Sequence, residues 1–133
     1  MKFTLDELKN ATNAIVNANK DGEFNISTDT RTIKNGDIYL PLKGETFDGE
    51  KFCKNAIEAG AVGCFCTNDD CPADLTLKVT NSKTAYLQIA NYARNKYNPI
   101  VIGVTGSSGK TTTKEIIFSV ISEKFKTHKT FSN

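Results

Sequence analysis

The amino-acid sequence predicts an α/β fold in two parts, a small N-terminal α/β domain and an incomplete parallel-sheet domain. Three observations predict this fold. Apolar residues recur at helical spacing directly after the capping box Thr4–Glu7. Short β-rich runs then alternate with helical segments through the middle of the chain. Finally, the apolar run Ile100–Val104 enters a glycine-serine loop, which an amphipathic segment follows.

The elements of the first part follow from periodicity and turn residues. Apolar spacing predicts a first helix from about Leu5 to Asn17. Strands are predicted in turn at residues 23–27, 37–42, 61–67 and 75–79. Between the second and third strands lie a polar loop at 43–49 and a helix at 51–59, which Gly60 ends.

The second part begins with a longer helix. An apolar stripe predicts a helix over about 82–97, which Asn98-Pro99 ends. The strand Ile100–Val104, a helix from Thr112 to about Lys124 and the start of a strand at 125–133 follow. We expect both helices to pack on this apolar strand. The predicted boundary lies near Thr80, which gives a domain at 1–80 and the start of a second at 81–133.

The loop before the last helix has the composition of a phosphate-binding loop. Glycines let backbone N–H groups turn toward an anion, and the following helix adds the positive end of its dipole. Lys110 can reach the outer phosphates, and the Thr111 hydroxyl can bind Mg²⁺, so these two are the catalytic candidates. The glycine spacing is a shorter variant of the usual phosphate-loop motif, because Val104 stands where that motif has its first glycine. We predict an ATP-phosphate site rather than an ordinary turn, formed by Gly106, Ser107, Ser108, Gly109, Lys110, Thr111 and Thr112.

Charge and composition exclude some classes of function. The 133 residues carry 17 basic and 15 acidic side chains, a net charge of +2, which argues against a nucleic-acid or membrane surface. The sequence has no apolar run of membrane-spanning length and no apolar signal region at its N-terminus, so a cytoplasmic location is expected. The four cysteines lack Cys-x-x-Cys spacing and are expected to be reduced structural thiols, with a disulfide or a metal as alternatives.

Two separated segments resemble the Mur ligases, the ATP-dependent enzymes that build the peptidoglycan stem peptide. The first extends from Ser27 to Gly49 and contains STDTR, NGDIY and KGETFDG, and the second is GSSGKTT at 106–112. The resemblance covers essentially the whole chain. It implies three domains, which bind the UDP end of the substrate, ATP, and the incoming amine. The Ser107-Ser108 form, followed by Lys114-Glu115, is most similar to the member that adds D-alanyl-D-alanine to a UDP-N-acetylmuramoyl tripeptide.

The resemblance also implies a reaction and a substrate site. ATP, with Mg²⁺, phosphorylates the stem-peptide carboxylate, and an amine then displaces phosphate from the acyl phosphate. Arg31 and Lys43 can supply charge for a diphosphate, and Phe47 a face for uracil. Glu50 stands where the family usually has histidine, and 130–133 stands for its Thr-x-Gly-Asn segment. The residues placed near the UDP end are Thr28, Asp29, Thr30, Arg31, Lys43, Gly44, Phe47, Asp48 and Gly49.

The nucleotide site is expected to be incomplete, because the acids after Lys110 are Glu115 and Glu123 on the loop's own helix. We therefore expect an N-terminal fragment that is inactive alone and that self-associates through the strand Ile100–Val104. The alternatives are a neighbouring Mur ligase that adds a diamino acid, a non-catalytic module that binds a UDP-sugar or phosphate, and a generic phosphate-loop NTPase. Without the resemblance, the two loops assigned to the UDP end of the substrate, Thr28–Arg31 and Lys43–Gly49, would be interpreted as ordinary solvated loops.

Overall fold

The computed structural model describes residues 1–44 and 46–131, in two compact units, Met1–Asn98 and Pro99–Asn133. Among the described residues of the first unit, six strands form one sheet in the spatial order β1-β3-β4-β5-β6-β2. These strands are β1 (Lys2–Phe3), β2 (Ile15–Val16), β3 (Phe24–Ser27), β4 (Ile38–Tyr39), β5 (Gly63–Cys66) and β6 (Thr76–Lys78). Strands β3 to β6 run parallel, and β1 and β2 pair antiparallel at the two edges. The helices of this unit are α1 (Leu5–Thr12), α2 (Cys53–Glu58) and α3 (Ser82–Tyr97).

Helices cover both faces of this sheet, which confirms the predicted α/β class. Ile38 and Phe65 belong to the larger apolar cluster, together with buried residues of α1 and α3. Their neighbours Tyr39 and Cys64 belong to a smaller cluster that includes Ala56 of α2. Because successive side chains of a strand point to opposite faces, α1 and α3 lie on one face and α2 lies on the other. Both central strands are buried on both faces, as parallel strands usually are.

Glu7 fastens α3 to α1. Thr4 accepts a hydrogen bond from the Glu7 N–H at 3.2 Å and donates its own N–H to Glu7 Oε2 at 3.0 Å, which confirms the capping box. The other carboxylate oxygen of Glu7 accepts from the Tyr92 hydroxyl at 3.2 Å and pairs with Lys96 at 2.7 Å. The bonds from Lys96 and from the Thr4 N–H lower the pKa of Glu7. A single carboxylate therefore joins the first turn of α1 to the last turns of α3.

The predicted end of the first helix is wrong. Helix α1 ends at Thr12 rather than near Asn17, because Asn13 adopts the left-handed conformation with φ of 54°. Ile15 and Val16 then form β2 and pair with β6. The helical spacing of Ile15 is thus overridden by strand pairing, to which these β-branched residues are suited.

The predicted domain boundary near Thr80 differs from the boundary between the compact units, which follows Asn98. Helix α3 has the predicted length, but its buried residues Ala85, Ile89 and Ala93 belong to the core of the first unit. The apolar stripe of this helix packs on α1 and the sheet of the first unit. The expectation that the helix also packs on Ile100–Val104 stays a prediction.

The second unit contains one long helix, α4 (Lys110–Ser122), close to the predicted 112–124. The predicted strand Ile100–Val104 is irregular, and Ile100 is 95% exposed. The strand predicted from Phe125 is also irregular over 125–131, and Ser132 and Asn133 lie outside the described residues. A strand requires a hydrogen-bonding partner, and the described part of this unit contains no other strand. None of the described helices has both the length and the apolar character of a membrane span.

Candidate functional site

Both candidate substrate loops lie at the carboxyl edge of the parallel sheet. Thr28–Arg31 directly follows β3, and the loop Lys43–Gly49 follows β4. The two strands are neighbours, and the Leu40 N–H donates to the Ser27 carbonyl at 2.8 Å where they end. Ligands of open α/β sheets bind at this edge. The structure therefore brings the two loops to the place where a ligand is expected.

Asp29 organises the first loop around Arg31. Its carboxylate accepts from the Arg31 N–H at 3.0 Å and so caps a short 3₁₀ helix over Thr30–Thr32. The same carboxylate binds the Arg31 Nε at 3.0 Å and Nη2 at 2.6 Å. These hydrogen bonds from Arg31 lower the pKa of Asp29 to about 2. Thr28, Asp29 and Thr30 are half-buried, whereas the Arg31 side chain is 85% exposed, so its guanidinium is held in place facing solvent.

Asp48 has the corresponding role in the second loop. It caps a 3₁₀ helix over Gly49–Phe52, with the Glu50 N–H donating to Oδ1 at 3.1 Å. Lys43 pairs with Asp48 at 3.4 Å, and the Gly44 N–H donates to the Phe47 carbonyl at 2.8 Å. The Glu50 N–H and, to a smaller extent, Lys43 lower the pKa of Asp48. The Lys43 ammonium stays largely exposed at this edge of the sheet.

Gly49 shapes the loop by close packing. A Cβ at this position would lie 2.6 Å from the Leu42 carbonyl oxygen and 2.9 Å from the Leu42 nitrogen. The Gly49 N–H donates to the Leu42 carbonyl at 3.0 Å, and the buried Tyr39 hydroxyl donates to the Gly49 carbonyl at 3.2 Å. Gly49 is itself buried, so it supports the loop from within rather than presenting a side chain to a ligand.

Phe52 is a candidate site residue that the sequence analysis missed. Its ring stacks on Phe47, with centroids 5.5 Å apart and an angle of 14° between the planes. Phe47 is 54% exposed and Phe52 is 40% exposed, so the pair presents an aromatic surface to solvent beside the second loop. The Asp48 cap on the helix Gly49–Phe52 brings the two rings together, and the Asp-Gly turn signal between them could have indicated this.

Glu50 connects the second loop to the segment after β5. Its Oε1 accepts from the Thr67 N–H at 3.0 Å and from the Thr67 hydroxyl at 2.5 Å, and its Oε2 accepts from Asn68 Nδ2 at 2.8 Å. Both carboxylate oxygens are therefore engaged with the neighbouring loop. This residue, which departs from the usual histidine of the resembled family, has a structural role in this chain.

The phosphate-loop candidate lies in the second unit. Gly106 and Gly109 adopt positive φ values of 147° and 76°, which residues with a Cβ rarely adopt. Helix α4 begins at Lys110, and its N-cap Gly109 has no side chain with which to cap the first turn. The Lys110 ammonium bends back and donates to the Gly106 carbonyl at 2.7 Å. The loop thus combines a helix N-terminus with a cation held against it, the arrangement that suits a phosphate.

The basic residues that follow contact the end of the chain. Lys114 donates to the Thr130 carbonyl at 2.8 Å, and Lys129 pairs with Glu115 and lies 4.5 Å from the Phe118 ring centroid. Of the segment 130–133, Ser132 and Asn133 lie outside the described residues. Glu115 pairs with Lys129, and Thr111 stays the predicted Mg²⁺ ligand on α4.

Comparisons with known proteins show which enzymes the chain is similar to. The family model "Mur ligase family, catalytic domain" matches residues 25–103. The UDP-N-acetylmuramoyl-tripeptide–D-alanyl-D-alanine ligase of Synechocystis sp. is 42% identical over 115 residues, covering 82% of this chain and 25% of the ligase. The UDP-N-acetylmuramoyl-L-alanyl-D-glutamate–2,6-diaminopimelate ligase of Clostridium tetani is 42% identical over 106 residues, covering 74% and 22%.

Solved structures of MurF ligases are also similar to this chain. A crystal structure of MurF from Acinetobacter baumannii matches with a TM-score of 0.83 and 32% identity, over 93% of this chain and 28% of that one. The MurF ligase of Thermotoga maritima in complex with ADP matches with a TM-score of 0.62 and 31% identity, over 75% and 23%. The chain spans about a quarter of the length of the curated relatives it matches. Because the family model covers more than half of its residues, the chain belongs to the Mur ligase family.

Proposed function

We propose that this chain is the substrate-binding part and the first ATP-site segment of a ligase that joins D-alanyl-D-alanine to a UDP-N-acetylmuramoyl tripeptide. The observation that carries the proposal is the pair of loops at the carboxyl edge of the sheet, in a chain whose relatives have this activity in their names. Residues 1–80 supply the sheet and both substrate loops, and 81–133 contain the nucleotide segment. The carboxylate is activated as an acyl phosphate, which the amine then attacks.

The substrate loops suit a nucleoside diphosphate. Arg31 offers a guanidinium that Asp29 holds in a fixed orientation, and Lys43 adds a second exposed cation. Charge-assisted hydrogen bonds from such groups are the strong contacts to phosphate oxygens. The Phe47–Phe52 pair supplies an aromatic surface on which uracil can stack. Gly44, Asp48 and Gly49 stabilise the conformation of the second loop. In the first loop, Thr28 and Thr30 flank Asp29.

The loop Gly106–Thr112 suits the phosphates of ATP. ATP supplies the phosphoryl group that activates the substrate carboxylate. Lys110 balances the charge of the outer phosphates, and the glycines, with Ser107 and Ser108, form the turn that brings backbone N–H groups toward them. Thr111 provides a hydroxyl for Mg²⁺. The related structure in complex with ADP supports the nucleotide assignment.

A ligase that adds a diamino acid is the second candidate. The Clostridium tetani diaminopimelate ligase is as identical to this chain as the Synechocystis tripeptide ligase is. Tighter binding of the UDP-N-acetylmuramoyl dipeptide than of the tripeptide would favour this candidate.

The proposal is tested by calorimetric titration of the chain with the UDP-N-acetylmuramoyl tripeptide and, separately, with Mg-ADP. Arg31→Ala removes a charged donor at the diphosphate, so the tripeptide conjugate should bind about 10- to 100-fold more weakly. Lys110→Ala should leave that affinity unchanged and weaken Mg-ADP binding. Arg94→Ala, which removes the same charge from the exposed side of α3, is the matched control for Arg31→Ala and should match the wild type in both titrations.

Equal weakening by Arg31→Ala and Arg94→Ala would reduce the effect to net charge and contradict the assignment of the first loop. Loss of tripeptide binding in Lys110→Ala would contradict the division of the two ligands between the two units.

A further inference from the structure

Three cysteine sulfurs meet in the first unit although they come from three separate segments. Cys53 begins α2, Cys64 lies in the middle of β5, and Cys71 lies in the segment between β5 and β6. Their Sγ atoms all lie within 4.8 Å of one another. Cys53 and Cys64 are buried, whereas Cys71 is half-buried on a polar segment.

The spacing of the three sulfurs approaches that of a thiolate metal site. Tetrahedral zinc holds thiolates at about 2.3 Å, which places their sulfurs about 3.8 Å apart. Closing the cluster onto one ion thus requires sulfur shifts of about 1 Å, within the reach of rotations about the Cα–Cβ bond. A disulfide would join two of the sulfurs and leave the third unpaired, whereas a cation uses all three.

The fourth cysteine of the chain, Cys66, lies next to the cluster but is not one of its three sulfurs. Cys66 is two residues beyond Cys64 on β5, so both side chains point toward the face that carries α2. Cys66 lines a cavity of about 210 Å³ together with Cys53 and Cys71. A cation held by the three sulfurs would therefore have its fourth position facing this cavity.

The surroundings suit a positive ion bound to thiolates. Asp48, Glu50 and Asp70 line the same cavity, against Lys51 as the basic residue. Carboxylates near the three sulfurs attract a bound cation and so favour its binding.

We propose that Cys53, Cys64 and Cys71 bind one Zn²⁺ ion, with Cys66 beside the fourth position. Each thiol releases its proton to solvent as its sulfur–zinc bond forms, and no electron is transferred. The ion joins the start of α2 to the segment after β5, and Cys53 directly follows the 3₁₀ helix Gly49–Phe52 of the second substrate loop. The zinc site is separate from the proposed ligase function, and it would hold in place the end of the second substrate loop.

The untagged chain, purified under reducing conditions and dialysed against Zn²⁺, tests this by metal analysis and by Co²⁺ substitution. One ion per chain and the thiolate-to-cobalt absorption bands are expected, both lost in Cys71→Ser. Cys66→Ser is the matched control, and it should retain the stoichiometric ion because the three ligands remain. Circular dichroism in chelator should show that both variants fold.

A measurement on the unmodified chain avoids dependence on the variants. Zn²⁺ should protect Cys71 from alkylation, measured by peptide mass spectrometry, and chelator should remove the protection. Absence of bound zinc, equal zinc in the wild type and Cys71→Ser, or alkylation indifferent to Zn²⁺ would each overturn the proposal. So would a disulfide formed within the cluster in the presence of Zn²⁺.

Discussion

Lys110 and Arg31 are both cations held in place by a neighbour, but their surroundings differ. Lys110 is held by a backbone carbonyl of its own loop, which a phosphate oxygen can replace as partner. Arg31 is held by the Asp29 carboxylate through Nε and Nη2, so a phosphate at this loop meets a guanidinium that is already oriented. Preorganised charge of this kind lowers the entropic cost of binding. At the residue scale, therefore, the proposed roles differ: Arg31 would bind the diphosphate of the substrate, and Lys110 would balance charge that develops during the reaction.

In a full-length ligase that carries this segment, Lys110→Ala should reduce turnover at least about a hundredfold, because the ammonium balances charge that develops on the transferred phosphoryl group. The binding of the UDP-N-acetylmuramoyl tripeptide should not change. Phosphate release at saturating substrate measures the first quantity, and calorimetry measures the second. A variant with near-normal turnover would contradict the phosphate-loop assignment.

The residue types that the sequence could predict were those with a local signal. The Thr4–Glu7 box and the glycine-lysine loop are recognisable from the spacing of their own residues. The structure shows the predicted cap, and it begins the last helix at Lys110, two residues before the predicted Thr112. The roles of Glu50 and Phe52 depend on Thr67 and on the Phe47 ring, which the fold brings to them. The cysteine cluster is the extreme case, because it joins three segments with no common motif.

At the element scale, two short 3₁₀ helices shape the candidate site. Each begins after an aspartate cap, Asp29 or Asp48, and each overlaps the last residues of a substrate loop. Such short helices have little stability of their own and depend on their caps and packing. The conformation of the second loop therefore depends on the close packing of the Gly49 backbone against Leu42.

Gly49→Ala should destabilise the fold by about 1–3 kcal/mol, because the new methyl group would meet the Leu42 backbone rather than a movable side chain. Denaturant unfolding measures the change. Gly44→Ala is the matched control within the same loop, since no atom lies within 4 Å of its added Cβ. Equal stability of the two variants would show that the loop moves apart at no cost.

Glu7→Gln should weaken the connection between α1 and α3 in a pH-dependent way. The bonds from Lys96 and the Thr4 N–H hold the pKa of Glu7 below the ordinary value of a glutamate in the folded chain. Its charge therefore stabilises the fold above that ordinary value and ceases to do so as the pH falls through the lowered pKa. The expected loss at pH 7 is less than about 1 kcal/mol, because the pair with Lys96 is partly exposed.

Thermal unfolding at pH 7 and at pH 3 measures this difference, with Glu23→Gln, at an exposed position, as the matched control. A stability loss that persists unchanged at pH 3 would show that the charge of Glu7 is not its cause.

The elements themselves were predictable to different extents for a physical reason. The strands β3 to β6 and the helix α3 lie within the predicted ranges, because their patterns agree with the packing that buries them. The end of α1 and the strand Ile100–Val104 depend on partners that lie elsewhere. Ile15 and Val16 find theirs in β6, and 100–104 finds none among the described residues of its unit.

At the scale of the whole molecule, the two units differ in their cores. The first unit buries a continuous apolar core that extends from Phe3 to Ala93. None of the described residues of the second unit is buried, and its apolar residues Ile100, Val101 and Phe131 are exposed. Apolar residues exposed in this way suit a surface that further structure covers.

This chain by itself should not ligate D-alanyl-D-alanine to the UDP-N-acetylmuramoyl tripeptide. It spans about a quarter of its relatives, and Glu115, one of the two acids after Lys110, is paired with Lys129. Phosphate release with ATP, Mg²⁺ and both substrates should equal that of Lys110→Ala. Release above this background, dependent on both substrates, would contradict the prediction.

The connection between Glu7 and Tyr92 spans 85 residues of sequence, and it has a consequence for the order in which the protein forms during synthesis. The N-terminal helix emerges from the ribosome early, but the surface on which it packs appears only after the last turns of α3 have been translated. Until then Leu8, which is fully buried in the finished fold, has no complete site. The apolar face of α1 therefore stays uncovered for most of the synthesis of this unit. A chaperone that binds exposed apolar segments would bind the nascent chain near its N-terminus.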